Sequence, residues 1–125
     1  MSLIANKETK TKIENRLNEY SKVGITLYYL YEQNRVNIND LKNVFFSEDD
    51  EKSCFIYGNI IKHVKTKDIK EMKEKYNIIN SNADELNVFY TKKIIEKIIN
   101  ESKDKIDKSI INLYDNFFFM HSILS

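Results

Sequence analysis

The chain has 125 residues, 42% of them hydrophobic and 31% charged, which fits one domain with one core and excludes disorder and a membrane-like composition. A formal net charge of +1 gives no global pull toward nucleic acid, so any basic surface has to be local. No apolar run approaches the roughly 20 residues that span a bilayer. Met1-Ser2-Leu3-Ile4-Ala5-Asn6-Lys7 has no basic-then-apolar leader pattern, and the single Cys54 has no partner within the chain. These features set the expectation of a cytoplasmic single domain over residues 1–125.

With no proline and two glycines, the chain has few helix breakers, and its loops must rely on Asn, Ser and Asp. Residues 7–33 read as helix, with Ile13, Leu17, Tyr20, Val23, Leu27 and Leu30/Tyr31 at spacings of three and four. Gly24 is expected to split this pattern into a leading segment and a second helix. The pattern stops near Asn34-Arg35. A short extended or turn segment, Val36-Asn37-Ile38, follows, and Asn37 or Asn39 caps a short helix carrying Leu41, Val44 and Phe45.

Ser47-Glu48-Asp49-Asp50-Glu51 is the clearest local signal: Ser47 is the expected N-cap, and the acids suit the positive end of a helix dipole. The helix it opens is predicted to run to about Thr66 and to bury some of Phe55, Ile56, Ile60, Ile61 and Val64. A charged helix over roughly 67–76 offers Ile69, Met72 and Tyr76. Tyr76-Asn77-Ile78-Ile79-Asn80 and Leu86-Asn87-Val88-Phe89-Tyr90 have strand composition around a polar turn, which predicts a β-hairpin over 76–91. From about Thr91 a long helix is predicted. Its stripe of Ile95, Ile99, Ser102, Ile106, Ile110, Leu113 and Phe117 meets either a second chain or its own domain.

Enzymatic chemistry has no motif here: there is no glycine-rich phosphate loop, no paired cysteines and no serine nucleophile elbow. His63 and His121 lack metal-ligand spacing to any partner, and Cys54 reads as a small apolar filler. The acids at 48–51 lack the alternation and glycine of a calcium loop, so capping explains them, and no cofactor is expected. Phe117-Phe118-Phe119-Met120 places large apolar groups on every face of a helix. One flat contact cannot cover them all, which favours a partner, such as another copy of this chain. The interface residues expected on this reading are Ile99, Ile106, Leu113, Phe117, Phe118 and Met120.

Lysines gather between Lys52 and Lys75, where Lys62, Lys65, Lys67, Lys70, Lys73 and Lys75 outnumber Asp68, Glu71 and Glu74. Lys52, Ser53, Tyr57, Asn59, Lys62 and Lys65 supply groups suited to phosphates and base edges. A solvated helix with ordinary Glu–Lys pairs accounts for the same residues.

The order of elements adds to this. A first helix over Ile25 to Gln33, a second over Val36 to Phe45, a third over Ser47 to Thr66, then a hairpin and Ala83-Asp84-Glu85-Leu86-Asn87-Val88-Phe89-Tyr90-Thr91 before a long helix resembles the winged-helix proteins of the MarR superfamily, including the staphylococcal accessory regulators. The resemblance implies a mainly α winged helix-turn-helix with one β-hairpin and a long C-terminal helix. It also implies a homodimeric transcriptional or plasmid/phage regulator of duplex DNA. The third helix would be the recognition helix, and Asn80, Ser81 and Asn82 would be wing contacts. The competing readings are an all-α bundle serving as a protein–protein adaptor or inhibitor, and a sensor holding a small molecule among its aromatics.

Overall fold

A computed structural model describes residues 7–102 and 106–124; residues 1–6, read above for a leader, lie outside them. The described residues are mainly α-helical. The order is α1 (Lys7–Tyr20), a 3-10 turn (Ser21–Val23), α2 (Gly24–Glu32), α3 (Ile38–Phe46), α4 (Asp50–Ile61), α5 (Thr66–Lys75), α6 (Ala83–Glu101) and α7 (Lys108–Leu124). The break before Gly24 matches the expectation from sequence. Among the described residues no helix is long and apolar enough to cross a membrane.

Asparagines supply the backbone freedom that the glycine-poor chain otherwise lacks. Asn34 (φ 59°) and Asn77 (φ 53°) take the left-handed conformation just past α2 and α5. Behind each, the chain turns back on its helix: Arg35 N donates to Leu30 O at 2.9 Å, and Ile78 N to Lys73 O at 3.0 Å. Asn34 N and Asn77 N reach Tyr31 O and Glu74 O, completing a Schellman closure at both ends. At helix starts, Asn37 accepts from Asp40 N and caps α3, while Asp49 accepts from Lys52 N and caps α4. Ser47, the cap expected for α4, instead accepts from Asp49 N and shapes the turn before it.

The hairpin expected over 76–91 is not formed. Residues 76–82 make a turn tied by Asn82, which accepts from Ile79 N at 2.8 Å and donates to Asn77 O at 3.2 Å. Leu86, Asn87, Val88, Phe89 and Tyr90 lie in α6. Their strand-like composition yields to packing, because Asn87, Thr91, Ile94, Ile95 and Ile98 form one helical stripe, of which the last four are buried. Asp84 and Glu85, read above as a wing tip, occupy the first turn of α6, where the helix dipole favours them.

The long C-terminal helix is likewise two helices. Ser102 is extended after α6, and Asp107 accepts from Ser109 N at 2.7 Å to start α7 afresh. The heptad-like stripe is therefore interrupted, with Ile95 and Ile110 buried in the chain's own core and Ile99, Ile106 and Leu113 packed partly against it.

The buried core draws on every helix except α4: Ile13 and Leu17, Leu27 and Tyr29, Leu41, Val44, Phe45 and Phe46, Met72, Ile94, Ile95 and Ile98, and Ile110, Tyr114 and Phe118. The only buried side chain of α4 is Ser53. Its hydroxyl donates to Val44 O at 2.7 Å, near the end of α3, where helix carbonyls have no partner of their own. Arg16, buried on α1, donates to Val44 O and Ser47 O, and the Tyr114 hydroxyl of α7 donates to Phe45 O. Arg16 Nε also lies 3.1 Å from Asp50 Oδ1, an ion pair whose angle makes no hydrogen bond.

α6 packs chiefly on α2 and also meets α3, α7 and the 3-10 turn. The α2–α6 crossing is set by Gly24: a Cβ there would stand 2.1 Å from both Asn87 O and Thr91 Oγ1. Asn87 Oδ1 also accepts from Ile25 N at 3.0 Å, bonding the two helices where they touch. We expect Gly24→Ala to lower the unfolding free energy by ~3 kcal/mol, because backbone must move to admit the methyl. Gly58 has open space around it, so Gly58→Ala should raise stability by ~0.5 to 1 kcal/mol through helix propensity. Urea titration of the two variants beside wild type measures both signs; equal effects at the two sites would contradict the close crossing.

Candidate functional site

α7 is fixed by residues four apart, Ile110, Tyr114 and Phe118, all buried. That anchorage turns the other large groups of its second half outward. Phe119 is 63% exposed and Met120 52%, against 8% for Phe118. Phe117 is half-buried and packs on the His121 ring at a centroid distance of 4.3 Å.

Open clefts flank this end of α7. One, of ≈ 660 Å³, runs between α1 and α7. Its α1 wall is polar, with Lys10, Glu14 and Asn18 at successive four-residue spacings, and its α7 wall carries Leu113, Phe117 and Met120. A second, of ≈ 610 Å³, lies between α6 and α7 over Leu86, Val88, Phe89 and Phe118, with Asp84, Glu85 and Lys92 at the rim. His121 lines both, and also a smaller cleft that adds Glu19 and Lys22. An exposed aromatic end beside half-apolar grooves has the composition of a protein-binding surface.

The residues expected to contact DNA are dispersed. Lys52 is exposed in the first turn of α4, but Ser53 is fully buried with its hydroxyl engaged on Val44 O, which removes it from any surface contact. Tyr57 is stacked on Tyr20 at 4.2 Å. Lys62 closes α4, Lys65 precedes α5, and Asn59 and Lys65 line one cleft of ≈ 610 Å³ with Arg35, Asp40 and His63. Asn80 and Ser81 are exposed in the α5–α6 turn, where Asn82 is half-buried and bonded to backbone.

Of the interface residues expected, Phe117, Phe118, Leu113 and Met120 lie together on α7 beside the two larger clefts. Ile99 and Ile106 pack against the core away from those linings.

Several half-buried tyrosines gather where α2, α5 and α6 meet. Tyr90 lies 4.9 Å from both Tyr28 and Tyr76, ring on ring, so the three fill space instead of surrounding a hollow. Burial, and next the Glu32 carboxylate, push the Tyr28, Tyr76 and Tyr90 hydroxyls above their ordinary pKa. Among the described residues no three His, Cys, Asp or Glu side chains gather as a metal ion requires.

Sequence reasoning passed over both arginines. Of the 20 basic residues only Arg16 and Arg35 are arginines, and each holds several oxygens at once, a task for which a planar fork is suited and a lysine is not. Arg35 Nη1 and Nη2 lie 3.0 and 3.2 Å from the two carboxylate oxygens of Asp68, and Nη2 also donates to His63 O. Asp68 in turn accepts from Lys65 N at 2.9 Å, so one buried carboxylate joins the α2–α3 loop to the start of α5.

No protein-family profile, curated protein or solved structure matches the chain.

The Arg35 guanidinium, and next the Lys65 N–H, hold the Asp68 carboxyl below its ordinary 3.8. A depressed folded pKa adds stability that is fully present above the unfolded value of about 3.9 and is lost as pH falls through the folded one. Asp68→Asn should therefore be less stable than wild type at neutral pH, with the gap closing below about pH 4. Urea melts across that range measure it; a gap that stays constant would place the loss elsewhere than in the ionised carboxylate.

Proposed function

We propose that the chain is a small all-helical protein–protein interaction module whose binding surface is the C-terminal half of α7 with its flanking clefts. One observation carries this reading: of four consecutive large apolar residues at 117–120, only Phe118 is buried, while Phe119 and Met120 face solvent. Exposed aromatic and methionine side chains beside concave walls are typical anchors of protein interfaces. A second copy of the chain, giving a homodimer, is one candidate occupant. The exposed free thiol of Cys54 suits a reducing compartment, the cytoplasm. The mutual packing of Tyr28, Tyr76 and Tyr90 gives less support to a small-molecule sensor.

A second reading, duplex DNA binding by a dimeric regulator, has its own supporting observation. α3 and α4 are joined by a three-residue turn, the spacing of a helix-turn-helix, with Lys52, Lys62 and Lys65 exposed on or just after the second helix. Against it, Glu48, Asp49, Asp50 and Glu51 crowd the start of α4, the end that would approach bases and phosphates in that geometry. The wing that the winged-helix form needs is replaced by the first half of α6. The interaction-module reading is therefore the stronger.

Phe119→Asp combined with Met120→Asp should leave the helical circular dichroism unchanged and shift stability by less than ~1 kcal/mol, since both sites face solvent. Wild type should self-associate in sedimentation or retain a specific protein on affinity purification, and the double variant should lose that association. Identical behaviour of the two proteins would remove the α7 surface from the function. Fluorescence anisotropy with mixed-sequence duplex, showing binding that weakens steeply with salt, would move the weight to the DNA reading.

A further inference from the structure

A separate cleft lies where the end of α2, the start of α3, the α4 face that carries Ile56 and Ile60, and the residue before α5 converge. Its floor is aliphatic: Leu30 and Val36 are buried, and Ile56 and Ile60, one helical turn apart on α4, are half-buried. Phe55, adjacent on α4, is 71% exposed, the most exposed of the large apolar side chains in the described structure. Ile56 and Ile60 pack on the core with part of their surface and leave the rest at the cleft wall.

The charges around this floor are asymmetric. Asp68 lies buried beneath Arg35, its oxygens already bonded to that guanidinium and to Lys65 N. On the α4–α5 side, Lys65 lines the cleft and Lys62, outside the lining but next in the chain to its His63, is exposed; neither side chain has an ion-pair partner among the described residues. His63 stands between them at the rim. On the α3 wall the acid is Asp40. A small anion finds little grip here, because both terminal nitrogens of Arg35 are already occupied.

We propose that this cleft docks an acidic amphipathic segment of a partner protein, with its aliphatic side chains on Leu30, Val36, Ile56 and Ile60. Its carboxylates would lie toward Lys62 and Lys65, and its uncharged edge toward Asp40. Apolar floor plus one-sided positive rim is complementary to an amphipathic helix or strand with acids on one flank, and it repels a basic one. Duplex DNA fits less well, since a phosphate backbone gains nothing from an aliphatic floor and meets Asp40. The inference rests on the interaction-module reading but uses a surface other than the α7 end.

The test is selection from a random-peptide display library against the full chain, with the recovered peptides then synthesised and titrated. Recovered peptides should pair bulky aliphatic residues with Asp or Glu. They should bind Lys62→Glu/Lys65→Glu about tenfold or more weakly than wild type, bind Asp40→Asn more tightly, and be indifferent to Phe119→Asp/Met120→Asp. A milder Lys62→Gln/Lys65→Gln pair, with an intermediate loss, guards against misfolding of the charge reversal. Recovery of no peptide, of neutral or basic peptides, or of peptides insensitive to the lysine changes would overturn the proposal. Peptides lost with the α7 variant would overturn it while upholding the α7 surface, and displacement by mixed-sequence duplex would reassign the face to nucleic acid.

Discussion

The end of α3 is the point on which the fold depends. Its last carbonyls lie inside the protein, where they cannot reach water, and three other helices send a donor to them. Arg16 of α1 bonds Val44 O and, just beyond the helix, Ser47 O; Ser53 of α4 bonds Val44 O and Tyr114 of α7 bonds Phe45 O. A buried carbonyl deprived of its donor costs about 1–3 kcal/mol. A cation at a helix C-terminus adds a favourable dipole interaction, and Arg16 supplies one there. These bonds specify which helix lies beside which, a decision that apolar contact alone leaves loose because greasy surfaces are interchangeable. The Tyr114 hydroxyl is correspondingly resistant to ionisation, its pKa pushed up by burial.

From this hub the positions of the two surfaces follow. α7 is held at Ile110, Tyr114 and Phe118, so the residues between those anchors must project, and its aromatic end is left proud of α1 and α6. α4 is held by the Ser53 hydroxyl, the Tyr57–Tyr20 stack and the partial packing of Ile56, Ile60 and Ile61 on the core, while Phe55 stays at the surface. Both candidate surfaces therefore carry apolar groups that the core covers only in part, as at Ile56 and Ile60, or leaves exposed, as at Phe119 and Met120.

Much of this organisation was legible in the sequence. The three- and four-residue spacing from Ile13 to Leu30 marks α1 and α2, Gly24 marks their division, and Asn37 and Asp49 are of the residue types that cap helices. The exposed end of α7 follows from a simple argument: four consecutive large apolar groups cannot share one helix face. What failed did so for physical reasons. Leu86 to Tyr90 looks like a strand because its residues favour strands locally, whereas the stripe that makes it helical begins at Asn87 and is completed only by Ile94 to Ile98. The acids at 84–85 carry the same first-turn signal as Asp50 and Glu51, and reading the two alike would have found the start of α6. The division between α6 and α7 turns on Asp107 and Ser109, a weak local cap inside an apparently continuous stripe. The roles of Arg16 and Arg35, and the pairing of Arg35 with Asp68, were beyond reach, since the hydrogen-bond partners of both arginines lie 28 or more residues away in the chain.

Amide hydrogen exchange, followed residue by residue by NMR on the isolated protein, is the measurement that bears most directly on a helical core with loosely held edges. The slowest amides should be those of α3 and of α6 from Ile94 to Ile98, with residues 86–90 showing helical protection and the α7 amides beyond Phe118 exchanging faster. Fast exchange throughout residues 86–98, or a cross-strand pairing between 76–80 and 86–90, would contradict the fold and with it both surfaces.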